Sequence, residues 1–165
     1  MMLQDSPGMD FSIKLICPVG TNDFVVADDL GHLEYFSSTG EGKNPFRVKS
    51  CKLPLEVDKE DNKWYEYMEK SENCPNFLIS SMDMVGDMLV YSTHRKQLCK
   101  MRMNKDKAEE MGRVSYLTIP FHKSKIRAIS ACAQQPLIVT TSDSTLMLWS
   151  YIAANNIGSM SLMNI

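Results

Sequence analysis

The sequence holds no apolar run near the roughly 18 residues that a membrane-spanning helix needs. Residues 1–10 also lack the basic start and apolar core of a secretory leader. A cytosolic chain that does not enter a membrane is the expectation. Charge of one sign is missing as well, since 18 Lys and Arg stand against 20 Asp and Glu for a formal charge of −2. That balance argues against a surface dedicated to nucleic acid or anionic lipid, where clustered cations drive binding by releasing counterions. Close cysteine pairs are absent. The five cysteines, Cys17, Cys51, Cys74, Cys99 and Cys132, are scattered, and their odd number leaves one over in any disulfide scheme, so reduced thiols fit best. Neither they nor His32, His94 and His122 form the Cys-x-x-Cys or His-x-x-x-His pair that supplies two zinc ligands from one turn. No metal and no cofactor are expected. The sequence also lacks a Gly-x-Ser-x-Gly elbow, a phosphate loop, a dinucleotide glycine pattern and a His-Glu-x-x-His helix. Asp28-Asp29 is an adjacent carboxylate pair, but strand neighbours point to opposite faces, so a turn is its simpler home.

What the chain does have is short strand-forming runs punctuated by turns. Residues 126–131 are a short apolar segment, Gln134-Gln135-Pro136 turns, 137–141 is β-branched, Ser142-Asp143-Ser144 turns again, and 146–149 is apolar. Two weaker copies precede this one. The first has strands at 11–17, 24–27 and 32–36, joined by Asp28-Asp29-Leu30-Gly31, with an outer strand at 46–57 where Pro54 favours an edge. The second has 76–82, the Val85-Gly86-Asp87 turn, 88–92, 97–103 and an outer strand at 114–120. Phe36 takes the place of Trp149 in the first copy, and the second has neither a Trp nor an Asp in the turn that corresponds to Ser142-Asp143-Ser144. The prediction is an all-β chain in three units, 1–57, 76–120 and 121–165, with a charged insertion at 58–75 and a polar one at 104–112. The tail, 155–165, is the outer strand of the last unit or the start of another. Trp64, Tyr65 and Tyr67 in the long insertion have two readings: packing of a loop onto its own sheet, or an anchor for a partner. Lys123, Lys125 and Arg127 alternate as the solvated face of a strand would. The 13 methionines either fill core gaps or supply an adaptable binding surface, the first being the simpler reading.

His122 and Trp149 lie 27 positions apart around these strands, a spacing that resembles the Gly-His to Trp-Asp repeat of WD-repeat β-propellers, whose blades are four-stranded antiparallel sheets. The resemblance implies a partial propeller of about three blades, not closed by itself, since propellers close with roughly four to eight. The missing blades would come from the same longer polypeptide or a neighbouring chain. It also implies a structural tetrad in which Asp143 holds His122, His122 meets Thr141, and Thr141 meets the indole N–H of Trp149. Such a network is worthwhile only with every member satisfied. Phe121 stands where the family prefers Gly, and Ser150 where it prefers Asp.

Across residues 76–151, the order Gly86-Asp87, Tyr91-Ser92-Thr93, Lys96-Gln97-Leu98, Phe121-His122, Pro136-Leu137-Ile138-Val139-Thr140 and Leu148-Trp149-Ser150-Tyr151 is similar to the large WD-repeat cilia- and flagella-associated proteins. These are axonemal adaptors of the inner dynein arm region. That likeness implies a non-catalytic scaffold in the cytoplasm at the axoneme of a cilium or flagellum, binding dynein or regulatory-complex subunits. Two other functions compete. One is a general WD-repeat interaction module outside cilia. The other is a small hydrolase built on Asp143, His122 and Thr141, against which stands the burial that a blade gives those residues under a tryptophan.

Overall fold

The computed structural model of the chain describes residues 4–5, 12–38, 48–52, 56–57, 78–103, 111, 113–118, 122–153 and 155–161. Among them are fourteen β-strands and no helix, arranged in three sheets. The first sheet orders β1 (Gln4–Asp5), β5 (Val48–Lys52), β4 (Leu33–Ser38), β3 (Asp23–Asp28) and β2 (Ile13–Val19). In the second the order is β6 (Glu56–Val57), β10 (Arg113–Thr118), β9 (Leu98–Arg102), β8 (Met88–Thr93) and β7 (Ile79–Val85). The third runs β11 (Ala128–Ala131), β12 (Leu137–Thr141), β13 (Thr145–Ser150) and β14 (Asn155–Ser161). Each sheet thus contains a four-strand meander, with one further short strand at the outer edge of the first and second, and the strands that open the three meanders, β2, β7 and β11, lie side by side in sequence order. The result is an unclosed arc of a propeller.

Local chemistry sets these strands. Phe24-Val25-Val26 and Leu137-Ile138-Val139-Thr140-Thr141 are aromatic and β-branched runs that suit a pleated surface. Gly86, at φ 57, opens the two-residue turn between β7 and β8 in the left-handed region that glycine enters without strain.

The segment 46–57 is not one outer strand. Residues 48–52 close the first sheet beside β4, whereas Glu56 and Val57 pair in parallel with β10 of the second sheet. Pro54, with no N–H to donate, falls between the two pieces. Gln4 and Asp5 add a short strand outside β5 that the sequence does not announce. The tail resolves to one of its two readings, since β14 is antiparallel to β13 as the outer strand of the third sheet. Trp64, Tyr65 and Tyr67 lie outside the described residues, as does most of 104–112.

The core consists of two layers, one on each side of the second sheet. Cys17, Val25, Leu33 and Tyr35 of the first sheet pack against Leu89, Tyr91, Met101 and Tyr116 of the second. Val90, Leu98 and Leu117, on the opposite face, pack against Ile129, Ile138 and Trp149 of the third. Strand alternation makes this possible, because Leu89 and Tyr91 face one layer and Val90 the other. Full burial stabilises each of these side chains by roughly 1.5 to 3 kcal/mol. Met101, Met103 and Met111 are buried in the first layer, as gap fillers are. Across the junction, Asp83 on β7 accepts a hydrogen bond from the backbone N–H of Ala131 on β11 at 2.8 Å, a polar link between sheets.

Candidate functional site

Trp149 is paired with Ile138 across β12 and β13, and Thr140, two residues along β12, presents its side chain on the same face. The indole lies against the second sheet with 1% exposure. Its N–H donates to Thr140 Oγ1 at 2.7 Å. The same oxygen lies 2.7 Å from Nε2 of His122, which precedes β11. The Thr140 hydroxyl thus accepts from the indole and is hydrogen-bonded to the imidazole through one oxygen. Burial lowers the pKa of His122 and keeps the ring neutral. The imidazole and indole rings are tilted at 55° with centroids 6.3 Å apart.

The hydroxyl in this network is Thr140, not Thr141. Thr141 is one residue further along the strand, and a single step turns a side chain to the other face of the sheet. Asp143 does not hold His122 either. The β12–β13 connection is only three residues long, so Asp143 stands at its tip, 58% exposed, where it accepts from Arg127 Nε at 2.9 Å. Nδ1 of His122 has no hydrogen-bond partner among the described residues. His122, Thr140 and Trp149 therefore form a three-member chain of hydrogen bonds, and Asp143 belongs to a surface ion pair.

The corresponding turns of the other two sheets are capped by the side chains of Asp28 and Thr93. At the end of β3, Asp28 is buried; its carboxylate accepts from the backbone N–H groups of Leu30 (2.9 Å) and His32 (2.8 Å) and meets His32 Nδ1 at 2.8 Å. Burial works to raise the pKa of Asp28, but the backbone and side-chain hydrogen bonds of His32 and the Leu30 N–H outweigh it and hold the carboxyl below its ordinary range. At the end of β8, Thr93 Oγ1 accepts from the N–H groups of Arg95 and Gln97, both at 3.3 Å. Ser142 is the matching residue of the third sheet, its N–H bonded to the carbonyl of Thr145. The Asp-x-x-Gly-His order of residues 28–32 was the sequence signal for this turn. In the first sheet Phe36, at the place of the tryptophan, stacks on Phe24 at 5.0 Å and is 6% exposed.

Chemically, the arrangement is closed. Thr140 is 0% exposed, and its oxygen is shared between an imidazole and an indole, so no substrate reaches it. Among the described residues no group of three or more His, Cys, Asp or Glu side chains is placed to hold a metal ion. Cys17 and Cys99 are buried and Cys132 is half-buried, and none of the three is in a disulfide.

No protein-family model matches the sequence, and no curated protein matches it. Solved structures do. Hsv2 of Kluyveromyces lactis superposes with a TM-score of 0.57 at 12% identity, over 93% of this chain and 39% of that one. A chain of the mitotic checkpoint complex gives 0.60 at 8% identity, over 96% and 40%. U3-55K gives 0.60 at 13% identity, over 93% and 40%. The chain thus spans about two-fifths of the length of these neighbours. At such identities the likeness speaks to fold alone, and the fold is that of an incomplete WD-repeat β-propeller.

Proposed function

We propose that the chain is a non-catalytic arc of a WD-repeat propeller that serves as a protein-interaction scaffold in a ciliary axonemal complex. The observation that carries the scaffold reading is the sealed His122–Thr140–Trp149 chain, which takes His122 out of the triad-like cluster of the sequence and ties it to the indole packed between two sheets, while Asp143 pairs with Arg127. The two ends of the arc support it. On the side of the first sheet away from the core, Ile16 is 62% exposed. On the far side of the third, Val139, Leu146 and Leu148 are half-buried and Met160 is 57% exposed. Apolar flanks of this kind mark interaction sites, and further blades, in the same polypeptide or a neighbouring chain, are the partners that fit them.

The axonemal placement, with dynein or regulatory-complex subunits as further partners, rests on the order of motifs across residues 76–151. The structural neighbours favour a second reading, an interaction module outside cilia, because one of them is a component of the mitotic checkpoint complex. Expression of a tagged chain in ciliated cells separates the two. Co-purification with axonemes that survives salt extraction is the expected result, and a chain found only in the soluble fraction would leave the general module standing instead.

A further inference from the structure

The segment 122–127 is irregular chain leading into β11, not the strand that its alternating cations suggest. It lies against the β8–β9 turn, where Lys96 Nζ donates to the carbonyl of Lys123 at 3.4 Å. Two basic stretches nearly thirty residues apart in sequence therefore meet at one corner. Arg95 and Lys96 come from the turn; Lys123, Lys125 and Arg127 come from the segment. Arg95, Lys123 and Arg127 are exposed, and Lys96 and Lys125 are half-buried. Asp143 adds one carboxylate, engaged with Arg127. Among the described residues five cations thus gather here, Arg127 engaged with Asp143 and Arg95 with a partner of its own, on a chain whose formal charge is −2.

The backbone under this corner is fixed. Thr93 caps the turn from within, the Lys96 N–H bonds the Thr93 carbonyl, and the Arg127 N–H bonds the Thr141 carbonyl at 2.7 Å. The backbone that carries the charges is thus in place before any partner arrives. The charges also act on their surroundings: burial and then the Lys125 ammonium disfavour protonation of His94.

We propose that this corner is a docking site for an acidic peptide segment of a protein partner, and the proposal rests on the interaction role above and specifies it. Charge complementarity gives the class, since a concentrated positive field selects a carboxylate-rich chain and speeds its encounter. Extent separates a peptide from nucleic acid. The rest of the molecule is net negative, and the corresponding turn of the first sheet carries Asp28 and Asp29, so a long polyanion is repelled beyond the corner while a short segment is not. Three of the five cations are lysines, compact point charges that accept carboxylates in many orientations.

The test is fluorescence anisotropy of a short fluorescein-labelled Glu-rich peptide with the full chain at low salt, beside a single-stranded DNA of equal charge. Saturable binding of the peptide is expected, weakened about tenfold or more in the Lys123→Glu/Lys125→Glu variant and unchanged in Lys14→Glu on β2. A cooperative thermal melt like that of the wild-type chain reports that each variant is folded. The proposal is overturned if the wild-type chain does not bind, if the double variant binds equally well, or if the DNA binds more tightly than the peptide. Should peptide binding fail while axonemes still retain the wild-type chain, this corner is excluded and the scaffold role stands.

Discussion

Trp149 is the largest fully buried side chain among the described residues, and its neighbours decide what its loss costs. Trp149→Ala empties a fully buried site in the layer between the third and second sheets, at an expected cost of about 3 to 5 kcal/mol in chemical denaturation. Thr140→Val strands the indole N–H and the imidazole together, at about 1 to 3 kcal/mol. Thr141→Val, on the other face of the same strand, should change stability by less than about 0.5 kcal/mol. Equal losses at Thr140 and Thr141 would mean that the face of the strand is misassigned. His122 predicts a pH dependence. Its pKa is depressed from 6.5 by burial, so the unfolded chain takes up a proton that the folded chain refuses. Stability from this group is present above pH 6.5 and declines as pH falls through that value. A urea midpoint that does not drop between about pH 7 and about pH 5 would contradict it. His94, depressed by burial and by Lys125, acts in the same direction.

The turns carry the information at the level of elements. Lys96 sits at φ 65, a conformation that costs a side chain about 1 to 2 kcal/mol and glycine much less. Lys96→Gly is therefore expected to raise stability by up to about 1 kcal/mol, read as a higher denaturant midpoint. Gly86→Ala is its mirror experiment. No atom lies within 4 Å of an added Cβ there, so the expected loss of about 1 kcal/mol is backbone strain alone. Turn length also separates the third sheet from the other two, whose second-to-third strand turns are each four residues long and are capped by Asp28 and Thr93. Four residues between β3 and β4 let Asp28 reach back to the N–H of His32, whereas three between β12 and β13 throw Asp143 outward to Arg127.

For the whole molecule, the joints between sheets are the quantities to test. Asp83→Ala leaves the Ala131 N–H without its carboxylate and should cost about 1 to 3 kcal/mol, with faster hydrogen exchange at Ala131 than elsewhere in β11. Exchange at Ala131 unaffected by the substitution would show that the link does not couple the sheets. The junction between the first and second sheets buries Cys17, whose thiol is pushed up to about 11 by burial and then by the charge of Asp83. Thiol reagents near neutral pH should therefore label Cys132 well before Cys17, because the thiolate is the reactive form.

Sequence alone determined the strands, their rough bounds and the placing of a tryptophan between sheets, because period-2 alternation, β-branched runs and Gly or Asp turns are local properties. Gly86-Asp87 is an example, legible as a hairpin before any coordinate is known. Only the tertiary structure decided which of two adjacent threonines faces the indole, since that depends on register within β12 and not on composition. It alone sent Glu56 and Val57 to the second sheet, released Asp143 to Arg127, and brought Arg95 and Lys96 beside Lys123 and Lys125. Each of these is a contact between residues far apart in the chain, and its energy depends on how sheets pack, which no local pattern encodes.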